Sequence, residues 1–439
     1  MTQLSGWGRF RPVETTLRRV RSQEDVAAAL TKGPLIARGN GRSYGDSAVN
    51  PALTLDMKGM DRMLSFDPDT GILVAEAGVL LADVIARFLP RGWFPAVTPG
   101  TKFVTLGGAI AADVHGKNHH IDGSFGSFVD WIDVMDATGH VTRAVPNTEL
   151  YGWTLGGMGL TGVILRTQIR LRQVESGYIL QDMRATQTLD ATIDMMEATL
   201  RAPYSVAWLD CVTQGPMMGR GLVMLGRHAP VDALPPTDRA RPFNVRPKRT
   251  LRLPVDLPAM ALNGITRHAF NAAYYWNGRR KPGERLVDWD TYFYPLDAIL
   301  DWNRGYGKAG FVQFQCVLPQ DTARAGLHAL MEAISRSGEA SVLSVLKRMG
   351  RQAGRISFPM AGYTLALDFP ANERSLRLMN RLDAITVDHG GRFYLAKDAR
   401  MPQQVLNAAD PRVAGFRAMR AERGLSDVFR STQSDRLGL

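Results

Sequence analysis

The chain is poor in cysteine and has no long apolar run. Its 439 residues include two cysteines, Cys211 and Cys316, which are too few for a disulfide framework. We expect both to be buried as small hydrophobic groups, and their scarcity is compatible with a reducing compartment. No apolar run approaches the roughly 20 residues of a membrane helix, and the N-terminal MTQLSGWGRFRPVE lacks the apolar core of a signal peptide. We therefore expect a soluble or membrane-peripheral protein.

Acidic residues are also in deficit. The chain has 42 Asp and Glu against 53 Lys and Arg, a net charge of +11. Basic chains bind nucleic acids, anionic lipids or phosphorylated substrates. No long run of like charge is present, and aromatic residues are not interleaved with basic ones as in a base-stacking platform. We therefore predict no nucleic-acid partner and favour a phosphorylated or lipid-linked one.

A glycine-rich stretch follows the apolar residues 34–36. Within ARGNGRSYGDSAVN, residues Gly39, Gly41 and Gly45 fall within seven positions, and a strand is predicted at 53–57. The spacing G-x-G-x-x-x-G, with no helix after it, is not the Rossmann fingerprint. Glycines allow successive backbone N–H groups to turn inward and form an anion cradle. The stretch predicts a pyrophosphate loop between two strands, although a glycine turn without a ligand would look the same.

A second glycine-rich stretch, TLGGAIAADVHGKNHH, begins at residue 105. Small residues from Ala109 onward predict the start of a helix, with Gly107 and Gly108 presenting free N–H groups to an anion. Small side chains at 109, 111 and 112 would let a flat group approach closely. Two separated cradles favour a ligand long enough to reach both, and a dinucleotide has that length.

Three histidines and a lysine lie in HGKNHH, residues 115–120. No carboxylate or cysteine stands at metal-ligand spacing, so we predict no metal site. We expect Lys117 to contact an anion or substrate. His119 and His120 are interpreted as surface residues.

The element pattern predicts an α+β fold with more than one domain, since 439 residues exceed one ordinary core. Ser22 precedes a predicted helix as its N-cap. Glycine density falls near residue 175, which indicates a domain boundary. Beyond it we expect a helix at 189–200 and strands at 205–210, 311–318 and 362–369. Gln313 and Gln315 would share one face of their strand.

Residues 241–285 form a basic insertion with two acids, Asp256 and Glu284. Long segments of weak periodicity are often lids or binding loops. The segment is therefore interpreted as a mobile flap that contacts anionic headgroups and a lipid chain, with a solvated insertion as the alternative.

These motifs are specific when they are taken together. ARGNGRSYGDS and PGTKFVTLGGAIAADVHGKNHH resemble the flavin domain of the vanillyl-alcohol-oxidase (PCMH-type) superfamily. AWLD, DWNRGYG, GFVQFQC, LDFP and YLAKDAR extend the likeness along the chain, which resembles the decaprenylphosphoryl-β-D-ribose oxidase family.

The resemblance implies a two-subdomain PCMH-type FAD-binding domain over 1–176. It also implies a substrate domain on an antiparallel sheet over 177–391, and a segment 392–439 that returns to the FAD domain. The implied reaction oxidises the 2′-hydroxyl of a polyprenyl-phosphoryl ribose, and a separate NADH-dependent short-chain reductase completes the epimerisation to the arabinose donor. The implied location is cytoplasmic and peripheral at the inner membrane, with the periplasmic side left open.

The resemblance also implies site residues. Lys397 is the main catalytic candidate, with Tyr44 and His115 beside it. The substrate side would include Lys117, Trp208, Tyr294, Gln313, Gln315, Lys347, Thr364 and Ala366, together with Lys397. FAD would contact Gly39, Asn40, Gly41, Arg42, Ser43, Tyr44, Gly45, Asp46, Ser47, Gly100, Thr105, Leu106, Gly107, Gly108, Ala112, Asp113, Val114, His115, Ile164 and Tyr394.

The chain departs from relatives at two kinds of position. Some superfamily members tether FAD through a histidine of the first glycine loop, where this chain has Arg42, so we predict non-covalent FAD. Mycobacterial members carry Asn and Cys where this chain has Thr364 and Ala366, which leaves the sugar and lipid open. Two alternatives to this oxidase function stay open. One is an FAD-dependent sugar-alcohol or aldonolactone oxidase that uses oxygen, and the other is a membrane-peripheral binding protein without catalytic activity.

Overall fold

Short strands and glycine-rich loops alternate in the N-terminal region. The computed structural model describes residues 1–439 apart from 247, 259–263, 281–282, 340, 342 and 353. The first sheet has the order β1-β2-β4-β3 and contains Thr2–Leu4 (β1), Val13–Arg19 (β2), Leu35–Arg38 (β3) and Leu53–Asp56 (β4). The second is ordered β5-β6-β10-β8-β9, with β7 beside β10, and contains Met63–Phe66 (β5), Ile72–Glu76 (β6), Trp93–Pro95 (β7), Val129–Met135 (β8), Val141–Ala144 (β9) and Val163–Gln173 (β10).

Five short helices lie in the same part of the chain: Gln23–Leu30 (α1), Leu81–Phe88 (α2), Leu106–Ala111 (α3), His119–Asp122 (α4) and Glu149–Thr154 (α5). The predicted cap of the first one is confirmed, because the Asp25 N–H donates to Ser22 Oγ at 3.2 Å. The first glycine stretch joins β3 to β4, which lie parallel. No helix follows it, as its spacing predicts.

The remaining strands form one large antiparallel sheet and a small parallel pair. The large sheet is ordered β15-β11-β13-β12-β18-β19-β17-β20, and β14 pairs with β16. The predicted α+β fold with an antiparallel substrate-side sheet is confirmed. The strands are Tyr178–Thr186 (β11), Tyr204–Leu209 (β12), Gly221–His228 (β13), Leu251–Arg252 (β14), Gly283–Asp288 (β15), Ile299–Leu300 (β16), Phe311–Pro319 (β17), Ser344–Met349 (β18), Gly362–Pro370 (β19) and Arg392–Phe393 (β20).

Nine further helices occur in the described part of this region: Leu189–Ala198 (α6), Pro236–Arg239 (α7), Gly264–Arg279 (α8), Trp289–Phe293 (α9), Gln320–Ser337 (α10), Glu373–Asp388 (α11), Gln403–Ala409 (α12), Arg412–Glu422 (α13) and Thr432–Leu437 (α14). The basic insertion contains α8, a helix of 16 residues that weak periodicity did not predict. The insertion also includes 247, 259–263 and 281–282, which lie outside the described residues.

The final segment packs against the first sheet and its loop. Leu35 N donates to Val428 O at 2.8 Å and Arg430 N donates to Leu35 O at 2.9 Å. Thr432 N reaches Val49 O at 2.9 Å. These bonds bring α14 beside the first glycine stretch. Among the described residues, no helix has the length and apolar character that crossing a membrane requires.

Candidate active site

A cavity of about 670 Å³ lies between the glycine stretches and the large sheet. This volume is typical of cofactor and small-molecule sites. The cavity wall contains most of the residues predicted to bind FAD: Gly39, Asn40, Gly41, Arg42, Ser43, Tyr44, Ser47, Gly100, Thr105, Gly107, Gly108, Ala112, Val114, His115, Ile164 and Tyr394. The predicted substrate residues in the wall are Gln313, Gln315, Lys347, Ala366 and Lys397.

Eight predicted residues lie behind or beside this wall: Gly45, Asp46, Leu106, Asp113, Lys117, Trp208, Tyr294 and Thr364. Thr364 contacts a residue of the wall, because its Oγ1 accepts a hydrogen bond from Gln315 Nε2 at 3.1 Å. Trp208 packs edge-on against Tyr274, with ring centroids 4.9 Å apart. The buried ring of Tyr294 packs edge-on against Trp289. Roles for these residues toward a bound ligand remain predictions.

The first glycine stretch presents backbone donors to the cavity. Tyr44 N donates to Ala396 O at 2.9 Å. For the N–H groups of Asn40, Gly41, Arg42 and Ser43 no acceptor lies among the described residues. Gly41 has a φ of +63°, a left-handed conformation that turns the loop and favours glycine. Adjacent unpaired N–H groups on such a loop form a concavity for an anion.

The second glycine stretch differs from its prediction. Helix α3 begins at Leu106 instead of near Ala109, and its N-cap Thr105 accepts the Gly108 N–H at 3.2 Å. Gly107 N donates to Ala77 O at 2.8 Å. The prediction of free N–H groups at Gly107 and Gly108 is therefore wrong, because Ala77 O and the Thr105 side chain accept hydrogen bonds from them. Glycine at 107 permits close packing, since a Cβ there would lie 2.8 Å from Ala77 Cβ.

Four buried polar atoms in the cavity wall have no partner among the described residues: Arg42 Nε, Ser47 Oγ, His115 Nδ1 and Asp368 Oδ2. Buried polar atoms in folded proteins are almost always hydrogen-bonded, so these atoms indicate a polar ligand. The Arg42 guanidinium lies 4.0 Å from the centroid of the Trp7 ring. A cation, unpaired backbone donors and a cavity lined by both glycine stretches fit the diphosphate and the polar ring system of FAD.

His115 is a neutral donor and acceptor in this wall. Burial, with the nearby charges of Lys347 and Lys397, lowers the pKa of His115 well below its usual value. Gln315 Nε2 donates to His115 Nε2 at 3.1 Å, so the proton of the neutral ring lies on Nδ1. Nδ1 is the atom without a partner. The ring therefore directs an unused N–H group toward a ligand.

One face of the large sheet supplies the polar side of the cavity. Gln313 stands opposite Asp368, and Gln315 stands opposite Ala366, in the β17–β19 pairing. On the next strand Lys347 stands opposite Thr364. Burial lowers the pKa of Lys347 to about 8. The predicted shared face of Gln313 and Gln315 is confirmed, and it faces the cavity rather than solvent.

Lys397 lies against the first glycine stretch. Its Nζ is 3.5 Å from the centroid of the Tyr44 ring. Removal from water lowers the pKa of Lys397, while the negative charge of Asp368 raises it. Burial raises the pKa of Tyr44 well above its usual value. Tyr44 is therefore a neutral phenol at physiological pH, and Lys397 is a weakly hydrated amine that can interact strongly with an oxygen of a ligand.

Asp368 is a cavity residue that the sequence predictions omitted. It is 1% exposed and lies in the cavity wall on β19. The alternation of β19 could have identified it, because Thr364, Ala366 and Asp368 are two residues apart and share one face. The predictions named the first two and stopped before the acid of LDFP.

Lys117 and the adjacent histidines are more buried than predicted. Lys117 Nζ donates to Tyr292 O and lies 4.2 Å from the centroid of the Tyr292 ring. Desolvation, with the charges of Lys347 and Lys248, lowers the pKa of Lys117 to about 7. His119 is 1% exposed and bonds Gln352 at 2.6 Å. His120 is half-buried and bonds Ala202 O at 3.0 Å. The interpretation of both histidines as surface residues is wrong, because residues 350–352 and 202 cover them.

Asp113 supports the wall from behind. Its carboxylate accepts hydrogen bonds from Gly126 N at 2.9 Å, from Gln352 Nε2 at 2.6 Å and from Ser357 Oγ. Its backbone has a φ of +40°, a strained conformation for a residue with a side chain. Asp113 therefore fixes the end of α3. Within the described ranges, no group of His, Cys, Asp and Glu side chains is placed to hold a metal ion.

Comparison with known proteins agrees with this geometry. Residues 16–144 match a family described as FAD binding domain. The chain is 35% identical to decaprenylphosphoryl-β-D-ribose oxidase of Mycolicibacterium smegmatis, over 100% of this chain and 97% of the relative. It is 35% identical to an uncharacterised protein of Streptomyces coelicolor, over 80% and 97% of the two chains. L-Gulonolactone oxidase of Bos taurus is 26% identical over 44% of this chain and 42% of its own length.

Proposed function

We propose that this chain, which belongs to the decaprenylphosphoryl-β-D-ribose oxidase family, oxidises the 2′-hydroxyl of a polyprenyl-phosphoryl-β-D-ribose to a ketone. The protein is an FAD-dependent oxidoreductase. The observation that carries the substrate proposal is one continuous cavity that joins the glycine loops to the polar strand face bearing Gln313 and Gln315. In this proposal the keto sugar passes to a separate NADH-dependent short-chain reductase, which restores the hydroxyl with the opposite configuration.

The residues of the cavity divide into binding and chemical roles. Bound FAD supplies an isoalloxazine ring that accepts a hydride from the alcohol carbon. The loop of Asn40 to Ser43 and the Arg42 side chain hold the anionic diphosphate. Gln313 offers its second amide hydrogen to a sugar hydroxyl. Gln315 offers its amide oxygen as an acceptor, because its two amide hydrogens go to His115 and Thr364. Lys397 binds the reacting oxygen and stabilises its developing negative charge.

An anaerobic titration tests the proposed function. The purified yellow protein is mixed with farnesyl-phosphoryl ribose while the oxidised-flavin absorbance is followed, with farnesyl phosphate as the control that lacks the sugar. We expect farnesyl-phosphoryl ribose to bleach the flavin and farnesyl phosphate to leave it oxidised. A protein that stays yellow, but releases hydrogen peroxide on simple polyols, would instead be a sugar-alcohol oxidase. A colourless protein would exclude the oxidase function.

The cavity mouth offers an apolar surface for the lipid. Leu251 and Ile299 stand opposite each other in the β14–β16 pair and are 69% and 43% exposed. Val255 is 60% exposed. Ile299 and Arg252 also line the cavity. We propose that the polyprenyl chain leaves the cavity across this mouth, and that the same surface contacts the membrane.

Substitution of the mouth tests this placement. Leu251→Asp combined with Ile299→Asp is expected to raise KM for the farnesyl substrate about tenfold or more, since one buried Leu or Ile contributes about 1.5–3 kcal/mol. The value of kcat should stay unchanged, and sedimentation with anionic vesicles should weaken. Leu64→Asp is the matched control, because Leu64 is 43% exposed on β5 and lies outside the cavity wall. Equal KM values in the double variant and this control would contradict the placement.

FAD is expected to leave the protein on acid precipitation. The first glycine loop contains Arg42 where a tethering histidine would stand, and both cysteines are fully buried outside the cavity wall. After precipitation with trichloroacetic acid, flavin fluorescence should appear in the supernatant and the pellet should be white. A yellow pellet would show a covalent bond to the flavin.

A flavin-activated, thiol-reactive inhibitor is expected to leave the mass of this protein unchanged. Ala366 lines the cavity at a position where a thiol would be accessible, and neither Cys211 nor Cys316 lines it. The variant Ala366→Cys should gain one inhibitor adduct in intact-mass spectrometry. An adduct on the wild-type chain, or none on the variant, would contradict the predicted position of residue 366 beside the flavin.

A further inference from the structure

Asp368 is a carboxylate with one unused oxygen in the cavity wall. Its Oδ1 accepts a hydrogen bond from Gln313 Nε2, and its backbone N–H donates to Ser341 Oγ at 2.9 Å. Its Oδ2 is buried and has no hydrogen-bond partner among the described residues. A carboxylate oxygen that is withdrawn from water, lines a cavity and has no partner indicates a ligand that donates a hydrogen bond to it.

Four residues from separate elements determine the electrostatic environment of this carboxylate. Gln313 on β17 donates to it, and Lys397, after β20, brings a positive charge. Two tyrosines are also near it: Tyr44 from the first glycine loop and Tyr306 from the segment before β17. The negative charge of Asp368 contributes to the raised pKa of each. Lys397 and Asp368 both line the cavity, and each shifts the pKa of the other. A ligand in the cavity therefore has both charges in its wall.

Burial raises the pKa of Asp368 above its usual value, although Gln313 and the charge of Lys397 oppose that change. Burial also lowers the pKa of Lys397. The two groups are thus closer in proton affinity than a free aspartate and a free lysine. Such a carboxylate can accept a proton from an alcohol more readily than an exposed one.

We propose that Asp368 Oδ2 accepts the proton of the substrate hydroxyl, while Lys397 holds the same oxygen from the other side. This role rests on the proposed function. The O–H bond breaks and its proton goes to Oδ2, while the electron pair of that bond becomes the second bond of the ketone. The hydrogen of the carbon leaves with its electron pair as hydride, which reduces the oxidised flavin by two electrons.

The other titratable groups of the wall fit this role less well. Burial keeps Tyr44 protonated, so its oxygen is a poor proton acceptor. His115 uses Nε2 to accept from Gln315, and its other nitrogen carries a proton. A protonated Lys397 can only donate. Within the described wall, Asp368 Oδ2 is the buried carboxylate oxygen that has no partner.

The variant Asp368→Asn tests the role, because asparagine keeps the shape and can still accept from Gln313. In single-turnover bleaching we expect the rate to fall about 10²–10⁴-fold, the usual contribution of a positioned base. Wild-type rates should rise with pH through the raised pKa of Asp368, since the deprotonated form accepts the proton. We call the fall of the rate at low pH the acid limb, and the Asp368→Asn variant should lack it. Asp133→Asn is the control, because Asp133 is also a buried strand aspartate but pairs with Arg143 outside the cavity.

Infrared titration of the substrate-free protein gives a readout that does not depend on turnover. Several buried carboxyls, including Asp46 and Asp113, should give bands that titrate above the usual aspartate range. The difference between the wild-type and Asp368→Asn titrations should show the loss of one such band, whereas Asp133→Asn should keep it. If Asp368→Asn does not fold, Gln313→Ala serves instead. Loss of the Gln313 donor should move both the band and the acid limb to higher pH.

The outcomes separate this inference from the proposed function. If phosphoryl ribose fails but a polyol bleaches the flavin, the function fails and the same comparison of variants is made with that polyol. A variant with the wild-type rate and acid limb would overturn the role of Asp368. An unchanged infrared titration in Asp368→Asn, or a wild-type protein without flavin, would also overturn it.

Discussion

The variant Lys397→Met is expected to lower the rate of flavin reduction by about 10²–10³-fold, the usual effect of removing one donor that stabilises a developing oxyanion. Lys397 lines the cavity and lies 3.5 Å from the centroid of the Tyr44 ring. Methionine keeps the length and apolar contacts of the side chain and removes its charge. The loss should therefore appear in the chemical step more than in packing.

The burial of Lys397 makes its charge effective. Little water competes for the amine in this wall, so an oxygen that gains negative charge there interacts with it more strongly than in solvent. The nearby Asp368 opposes the loss of the proton from Lys397. Removal of Lys397 should in turn raise the pKa of Asp368 further, since its charge lowers that pKa. The acid limb of the rate profile should then move to higher pH.

Stopped-flow bleaching with farnesyl-phosphoryl ribose measures the rate, and flavin absorbance per protein checks that the cofactor is retained. Lys397→Arg keeps a charge and should recover part of the rate. Lys32→Met removes an exposed lysine and should behave as wild type. If Lys397→Met reduces its flavin at the wild-type rate, Lys397 has no role in the chemistry.

The second large effect is expected from Arg436→Met, which should lower the free energy of unfolding by about 3–5 kcal/mol, the usual cost of leaving buried charges unpaired. Arg436 Nη2 lies 2.8 Å from Asp46 Oδ1 and 2.8 Å from Asp398 Oδ2. Asp46 belongs to the first glycine stretch, and Asp398 follows Lys397 directly. One arginine of α14 therefore joins the first glycine stretch to the segment that contains Lys397.

The two carboxylates respond differently to their surroundings. Burial raises the pKa of Asp46 despite the nearby Arg436. Burial also raises the pKa of Asp398, but Arg436 and the N–H groups of Arg400 and Met401 more than offset it, so the net pKa is lowered. A lowered folded-state pKa stabilises the protein above the unfolded value of about 3.9, and this contribution is lost as pH falls through the folded value.

The cost of Arg436→Met should therefore be largest near neutral pH and decrease on acidification, because protonated carboxyls need no cation. Urea unfolding across this pH range measures the cost, and equilibrium dialysis measures the expected loss of FAD affinity. Arg430→Met is the control: its ion pair with Asp435 is 42% and 37% exposed, and such surface pairs contribute at most about 1 kcal/mol. Equal stability of the two variants would contradict the structural role of Arg436.

Local patterns were sufficient for many elements of the fold. The Ser22 cap, the strand before the first glycine stretch and the absence of a helix after it follow from short-range sterics and hydrogen bonding. The shared face of Gln313 and Gln315 follows from the two-residue period of a strand. The family and its cofactor could also be identified from the ordered motifs, and the comparisons confirm both.

Errors arose where distant segments meet. Gly107 N donates to Ala77 O, a contact between separate segments that no local pattern predicts. The Thr105 cap on Gly108 is a local pattern that the sequence predictions overlooked. His119 is buried because Gln352 and Gly350 reach it from 231 to 233 residues further along the chain. The helix α8 lacks a clear apolar stripe, so its pattern gave no helical signal.

The sequence alone determined the class of fold, the glycine loops, the family and the residue types available for chemistry. The tertiary structure decided that Asp368 and Lys397 face one cavity, that Asp368 keeps an unused oxygen, and that α14 joins the first glycine stretch to the segment that contains Lys397. The physical reason is the range of the interactions. Turns, caps and strand alternation depend on adjacent residues, whereas burial and proton affinity depend on every segment that excludes water from a site.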